Sequence, residues 1–168
     1  MRLLLVALVA LITLSACADA PSSGAPDDSE PTASADAERA AILAVLNGET
    51  RAALSRDYDG WREHWVHEPY VVKTYLDLTD GTGSEMRGFA AVNDFVRDYL
   101  DAHPEPEPPP PALETADIRL YGNGAAVTYE QQDADQGWKR ESRLMEKVGG
   151  DWRIAGMHTT IYGPERPD

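Results

Sequence analysis

The sequence predicts one small α+β domain. Two observations carry that prediction. Apolar residues recur at helical spacing through the first half of the folding region, and the last third breaks into long strand-like runs separated by turn residues. No internal repeat is present in the 168 residues. Helices followed by a run of antiparallel strands belong to a domain in which one sheet packs against helices on one side.

The first sixteen residues stand apart from this domain. They hold a single charge, Arg2, an apolar run from Leu3 to Leu14, and the small pair Ser15 and Ala16. That is the layout of a secretory signal. A run of twelve residues, apolar but for Thr13, makes a helix of about 18 Å, short of a hydrocarbon core of ~30 Å, so it reads as a cleaved leader rather than a membrane span. Leu14, Ser15, Ala16 and Cys17 resemble the lipobox of bacterial lipoproteins. The resemblance implies cleavage before Cys17, the sole cysteine, and a diacyl lipid on it. Two or more acyl chains, at ~0.8 kcal/mol per buried methylene, anchor a protein stably. The implied location is the cell envelope, and Ala18 after the cysteine implies the outer membrane if the cell has two. Residues 17–36 are Ala, Pro, Ser, Gly, Asp, Glu and Thr after the cysteine, with no large apolar side chain to offset backbone ordering, and predict a disordered tether reaching roughly 25 Å. The domain boundaries are therefore 1–16 leader, 17–36 lipidated cysteine and tether, and 37–168 folded domain.

Asp36 is the expected N-cap of a first helix over 37–57, with Ile42, Val45, Leu46, Ala53 and Leu54 as its apolar stripe. Asp59 and Gly60 lead into a short helix over 61–65, which Glu68 and Pro69 close. Residues 70–77 predict a strand. A polar turn at 80–83 then leads to Gly88 and a third helix over 89–101 that buries Phe89, Val92, Val96, Tyr99 and Leu100. The run from Pro104 to Pro111 is extended, because proline fixes φ and removes donors. Strands are expected over 113–121, 125–133, 137–148 and 151–162, separated by Gly-rich turns.

This element order, together with the hairpin carrying Glu141, Ser142 and Arg143 and then Trp152, Ile154 and His158, resembles the nuclear transport factor two-like superfamily. The hairpin looks like the corresponding one in small bacterial relatives of polyketide cyclases and in the association domain of calcium/calmodulin-dependent kinase. The resemblance covers about 37–162. It implies a strongly curved antiparallel sheet forming a cone-shaped half barrel closed by three helices, with Arg143 and His158 lining the cavity. Family members also pair through the open sheet face, so a homodimer is expected. Strand alternation independently places Trp152, Ile154, Gly156, His158 and Thr160 on one face, and Glu141 with Arg143 on one face of the neighbouring strand.

A second wall follows from helix spacing. Glu49 falls on the stripe Ile42, Leu46, Glu49, Ala53, so a carboxylate points where apolar groups should be. A buried carboxylate requires a cation or donors, and Arg143 is the expected partner through Glu49 or Glu141. Three readings of the set stay open. Glu49, Arg143 and His158 form a satisfied structural network; or they bind a small molecule together with Trp61, Trp65, Tyr70, Tyr129 and Glu141; or His158 and a carboxylate act as acid and base in an isomerase, cyclase or dehydratase. No cofactor is implied. The segment His64, Trp65, Val66, His67, Glu68 is neither His-Glu-x-x-His nor its inverse, so no metal site is expected. There is no phosphate loop and no free nucleophilic cysteine. The net charge of −14, one unit more negative once Arg2 leaves with the leader, argues against nucleic acid.

Overall fold

The computed structural model describes residues 29–133 and 136–166, with side chains described from residue 34 except at Asp133. The leader, Cys17 and most of the expected tether lie outside these residues. Three helices, α1 (Ser29–Leu54), α2 (Tyr58–Glu63) and α3 (Phe89–Ala102), pack against a six-stranded sheet. Its strands are β1 (Val72–Asp77), β2 (Thr82–Arg87), β3 (Asp117–Tyr121), β4 (Gly124–Asp133), β5 (Gly137–Val148) and β6 (Asp151–Gly163), in the order β2-β1-β6-β5-β4-β3. The curved, unclosed sheet and its helices form the expected cone-shaped half barrel. All neighbours are antiparallel except β1 and β6, which run parallel.

Helix α1 begins at Ser29 rather than Ala37. Asp36 is thus inside the helix and not its N-cap, and it meets Arg39 one turn on at 3.5 Å. Alanines at 33, 35 and 37 favour continuation, and Pro31 is tolerated in a first turn. Farther along, Glu38 fixes α1 to the β5–β6 hairpin by accepting from Lys147 Nζ and Trp152 Nε1, each at 2.6 Å. The other end of α1 stops at Leu54, where Arg56 takes a left-handed φ of 64°. Asp57 then caps α2 by accepting from the Gly60 amide at 2.9 Å.

Two further expectations are corrected. Thr82-Gly-Ser-Glu has little strand propensity and reads as turn, yet β2 forms there as the antiparallel partner of β1 over six residue pairs. Tyr99 is exposed rather than buried and stacks on His103 at 4.5 Å. Beyond the proline run, β3 starts only at Asp117, because the Asn47 side chain holds Leu113 by bonds to both its amide and its carbonyl. The core inside the cone is built from Ile42 and Leu46 of α1, Trp61 of α2, Trp65 and Val71 beyond it, Val92 and Val96 of α3, and Val127, Met145, Ile154 and Met157 of the sheet.

Candidate functional site

The inner face of the sheet carries two neighbouring cross-strand rows. One is Lys73, Met157, Arg143 and Val127; the next is Tyr75, Thr159, Glu141 and Tyr129. Opposite them α1 presents Glu49, and Trp61 and Trp65 close over it. Lys73, Glu141, Arg143, Thr159 and Glu49 are all buried. Two carboxylates and two cations thus share the interior, and their formal charges cancel. Neutrality is what permits such a set in a low-dielectric space, since each ion alone would cost several kcal/mol.

Each charge is held by identifiable partners. Glu49 Oε1 accepts from Trp61 Nε1 at 2.9 Å and from Trp65 Nε1 at 3.2 Å. Burial pushes its carboxyl up, but Arg143, Lys73 and the two indole donors together outweigh burial and hold it below the ordinary value of 4.5. Glu141 Oε2 accepts from Thr159 Oγ1 at 2.9 Å and pairs with Arg143 Nη2 at 3.4 Å. Arg143 also donates from Nε and Nη2 to the Tyr129 hydroxyl oxygen at 3.4 Å. Burial opposes the guanidinium charge, yet Glu141, Tyr129 and Glu49 more than restore it. Burial is likewise the main reason the Tyr129 phenol stays protonated above its usual range. Lys73 Nζ sits among three rings, 5.3 Å from Tyr75, 5.5 Å from Trp65 and 5.8 Å from Phe95, a cation–π cage. One donor is left over: Arg143 Nη1 is buried and has no hydrogen-bond partner among the described residues.

The structure therefore brings together Glu49, Trp61, Trp65, Tyr129, Glu141 and Arg143. It does not bring Tyr70 or His158 to them. Tyr70 precedes β1, is 56% exposed, and donates to Glu146 Oε2 at 2.7 Å on the outside; that bond pushes its phenol up to about 12. His158 is exposed on the outer face, its Nε2 3.1 Å from Thr160 Oγ1. The reason is a β-bulge. Leu144 pairs with Gly156 and Met145 with Ile154, leaving Ala155 extra, so both Ile154 and Ala155 are buried. Beyond that residue the inward set becomes Met157, Thr159 and Ile161 instead of Gly156, His158 and Thr160. Glu49 takes indole donors as its direct partners, so the direct ion pair of Arg143 is with Glu141. Lys73 and Thr159, absent from the expected set, complete the centre. Among the described residues no group of three or more His, Cys, Asp or Glu side chains gathers as metal ligands, and no helix is long and apolar enough to cross a membrane.

No protein-family model matches the sequence, and no curated protein does. Solved structures do match the fold. The chain is similar to a nuclear transport factor two-like protein of unknown function from Pseudomonas putida (TM-score 0.60, 15% identity, covering 79% of this chain and 98% of that one). It is similar also to another such protein from Silicibacter pomeroyi (TM-score 0.54, 16% identity, 76% and 98% covered) and to a cystatin-like fold protein from Burkholderia xenovorans (TM-score 0.54, 18% identity, 74% and 91% covered). The chain has the nuclear transport factor two-like fold.

Proposed function

We propose that this chain is a lipid-anchored envelope protein whose cone binds a small, uncharged molecule through an acceptor oxygen delivered to Arg143. The observation that supports this reading is the unpartnered Arg143 Nη1. A buried donor with no acceptor costs about 1 to 3 kcal/mol, and a ligand carbonyl or hydroxyl removes that cost. The balance of Glu49 and Glu141 against Lys73 and Arg143 favours a neutral ligand, because an added charge would have no counterion left. The fold hosts both small-molecule binding and isomerase chemistry, so the fold alone does not choose between them. The acid–base alternative is weakened by placement: His158 lies outside, and a Glu49 carboxyl held below its ordinary value is a poor proton acceptor.

A second reading is assembly as a homodimer. Leu144 is 58% exposed on the outer sheet face, beside Gly156 and Ala126, which add little relief of their own. Native mass spectrometry of the chain purified gently from its host tests both readings at once. A retained organic mass lost in Arg143→Gln supports the ligand; an empty dimer supports assembly alone. Lipid attachment is tested separately through Cys17→Ala, which is expected to leave the leader uncleaved and to abolish labelling by radioactive palmitate. A normally processed, membrane-bound variant would overturn the anchor.

A further inference from the structure

Away from the cone, a surface cavity of about 720 Å³ opens between α2, the segment around His67 and the start of α3. A second hollow of about 330 Å³ shares Tyr58 and Arg97 with it. The larger volume is in the range of small-molecule sites. His67, Phe89 and Tyr58 line it, and buried Trp61 lies behind them. His67 lies on Phe89 at 4.1 Å with planes 22° apart, Phe89 lies on Trp61 at 6.3 Å and 14°, and Trp61 lies on Tyr58 at 6.1 Å and 27°. Two guanidinium groups rest against these rings, Arg62 5.8 Å from Phe89 and Arg97 5.5 Å from Tyr58.

The arginines have donors to spare. Arg62 makes no side-chain hydrogen bond or ion pair among the described residues, and Arg97 donates only to the Tyr58 hydroxyl oxygen at 3.3 Å. That hydroxyl in turn donates to Asn93 Oδ1, which fixes the ring. Guanidinium forks beside the exposed His67 ring, which Phe89 backs, match a flat molecule ending in a carboxylate: the forks take its oxygens and the imidazole takes its face. The first turn of α3 adds to this, since it carries no acidic residue and Gly88 offers no side-chain cap. Asp59 and Glu68 also line the cavity, and their repulsion limits the ligand to one anionic group with an otherwise neutral body.

We propose that this groove is a second binding site, for a planar aromatic carboxylate held by Arg62 and Arg97 over the His67–Phe89 platform. It is separate from the cone and does not depend on the reading of Arg143. The probe is naphthalene-2-carboxylate, titrated into the full chain and followed by amide chemical shifts. Saturable binding is expected below roughly 1 mM, with shifts at Phe89, Ala90 and Asn93. Arg62→Gln and Arg97→Gln are each expected to weaken it about tenfold, as is replacing the probe by its neutral carboxamide. Ala90→Glu places a carboxylate in the groove while suiting the helix N-terminus, so it is expected to abolish binding with an unchanged or higher Tm. Leu144→Glu, on the outer sheet face and away from the groove, serves as the control and is expected to bind the probe normally. No saturation, equal binding of the carboxamide, or retained binding by Ala90→Glu would overturn the proposal. Saturating shifts at Trp65, Tyr129 and Arg143 instead, with normal binding by the groove variants, would move the site to the cone.

Discussion

Replacing Arg143 by alanine tests the polar centre at its most connected member. The guanidinium is the direct ion-pair partner of Glu141, receives support from Tyr129, and contributes to keeping Glu49 ionised. After substitution Glu141 keeps one donor, Thr159, and Glu49 keeps two indoles and the field of Lys73. Two buried carboxylates then face one cation. Breaking a buried pair from one side costs about 3 to 5 kcal/mol, much of it the stranded charge. For a domain of this size each kcal/mol moves the midpoint by roughly 3 to 5 °C, so Tm is expected to fall by about 10 to 25 °C. Urea titration with a constant m-value separates this loss from a change in the unfolded state. The double variant Arg143→Met, Glu141→Leu removes both charges at similar volume and is expected to recover most of the loss. If Arg143→Ala melts within about 1 kcal/mol of the parent, the carboxylates are solvated and the buried centre does not exist in solution.

Three further outcomes follow from the same geometry. Because the Glu49 carboxyl is held below its ordinary 4.5 in the folded state, its contribution is complete above that pH and is lost as pH falls through the lower folded value. Tm measured from pH 6 downward is thus expected to drop below about pH 4.5, and less steeply in Glu49→Gln; identical slopes would refute the shift. Gly137 has φ 78°, and a Cβ there would overlap the Gly163 carbonyl, so Gly137→Ala is expected to cost more than about 2 kcal/mol in denaturant unfolding. Leu144→Glu puts a charge at the centre of the outer sheet face and is expected to give a monomer by sedimentation with the parent's circular dichroism, whereas an unchanged mass would remove that face as the dimer contact.

Much of this architecture is legible from residue order, and the misses share one cause. The stripe through Ile42, Leu46 and Glu49 points inward as its spacing requires, and β5 spans the residues its alternation marks. Those are local properties. Strand β2 is formed by pairing rather than by its own residues, and the parallel partnership of β1 with β6 joins segments far apart in the chain. Simple alternation puts His158 on the inner face, and one extra residue at Ala155 reverses that for the rest of the strand. A pair of adjacent apolar residues, Ile154 and Ala155, is the only trace of that bulge in the sequence. A lysine in an alternating strand ordinarily faces water; the cage that buries Lys73 joins Tyr75 of its own strand to Trp65 beyond α2 and Phe95 of α3. Tyr70 faces out because the inward register of this segment runs through Val71, Lys73 and Tyr75, which sends its neighbour to the surface.

The most direct test of the cone as a binding centre is a crystal structure, at a resolution that shows ordered water, of the protein taken gently from its own host. Binding at Arg143 predicts non-protein density larger than a water molecule, with an oxygen within hydrogen-bond distance of Nη1. A lone water there, or a protein acceptor that closes on Nη1, would make Glu49, Lys73, Glu141 and Arg143 a structural network and contradict the ligand reading.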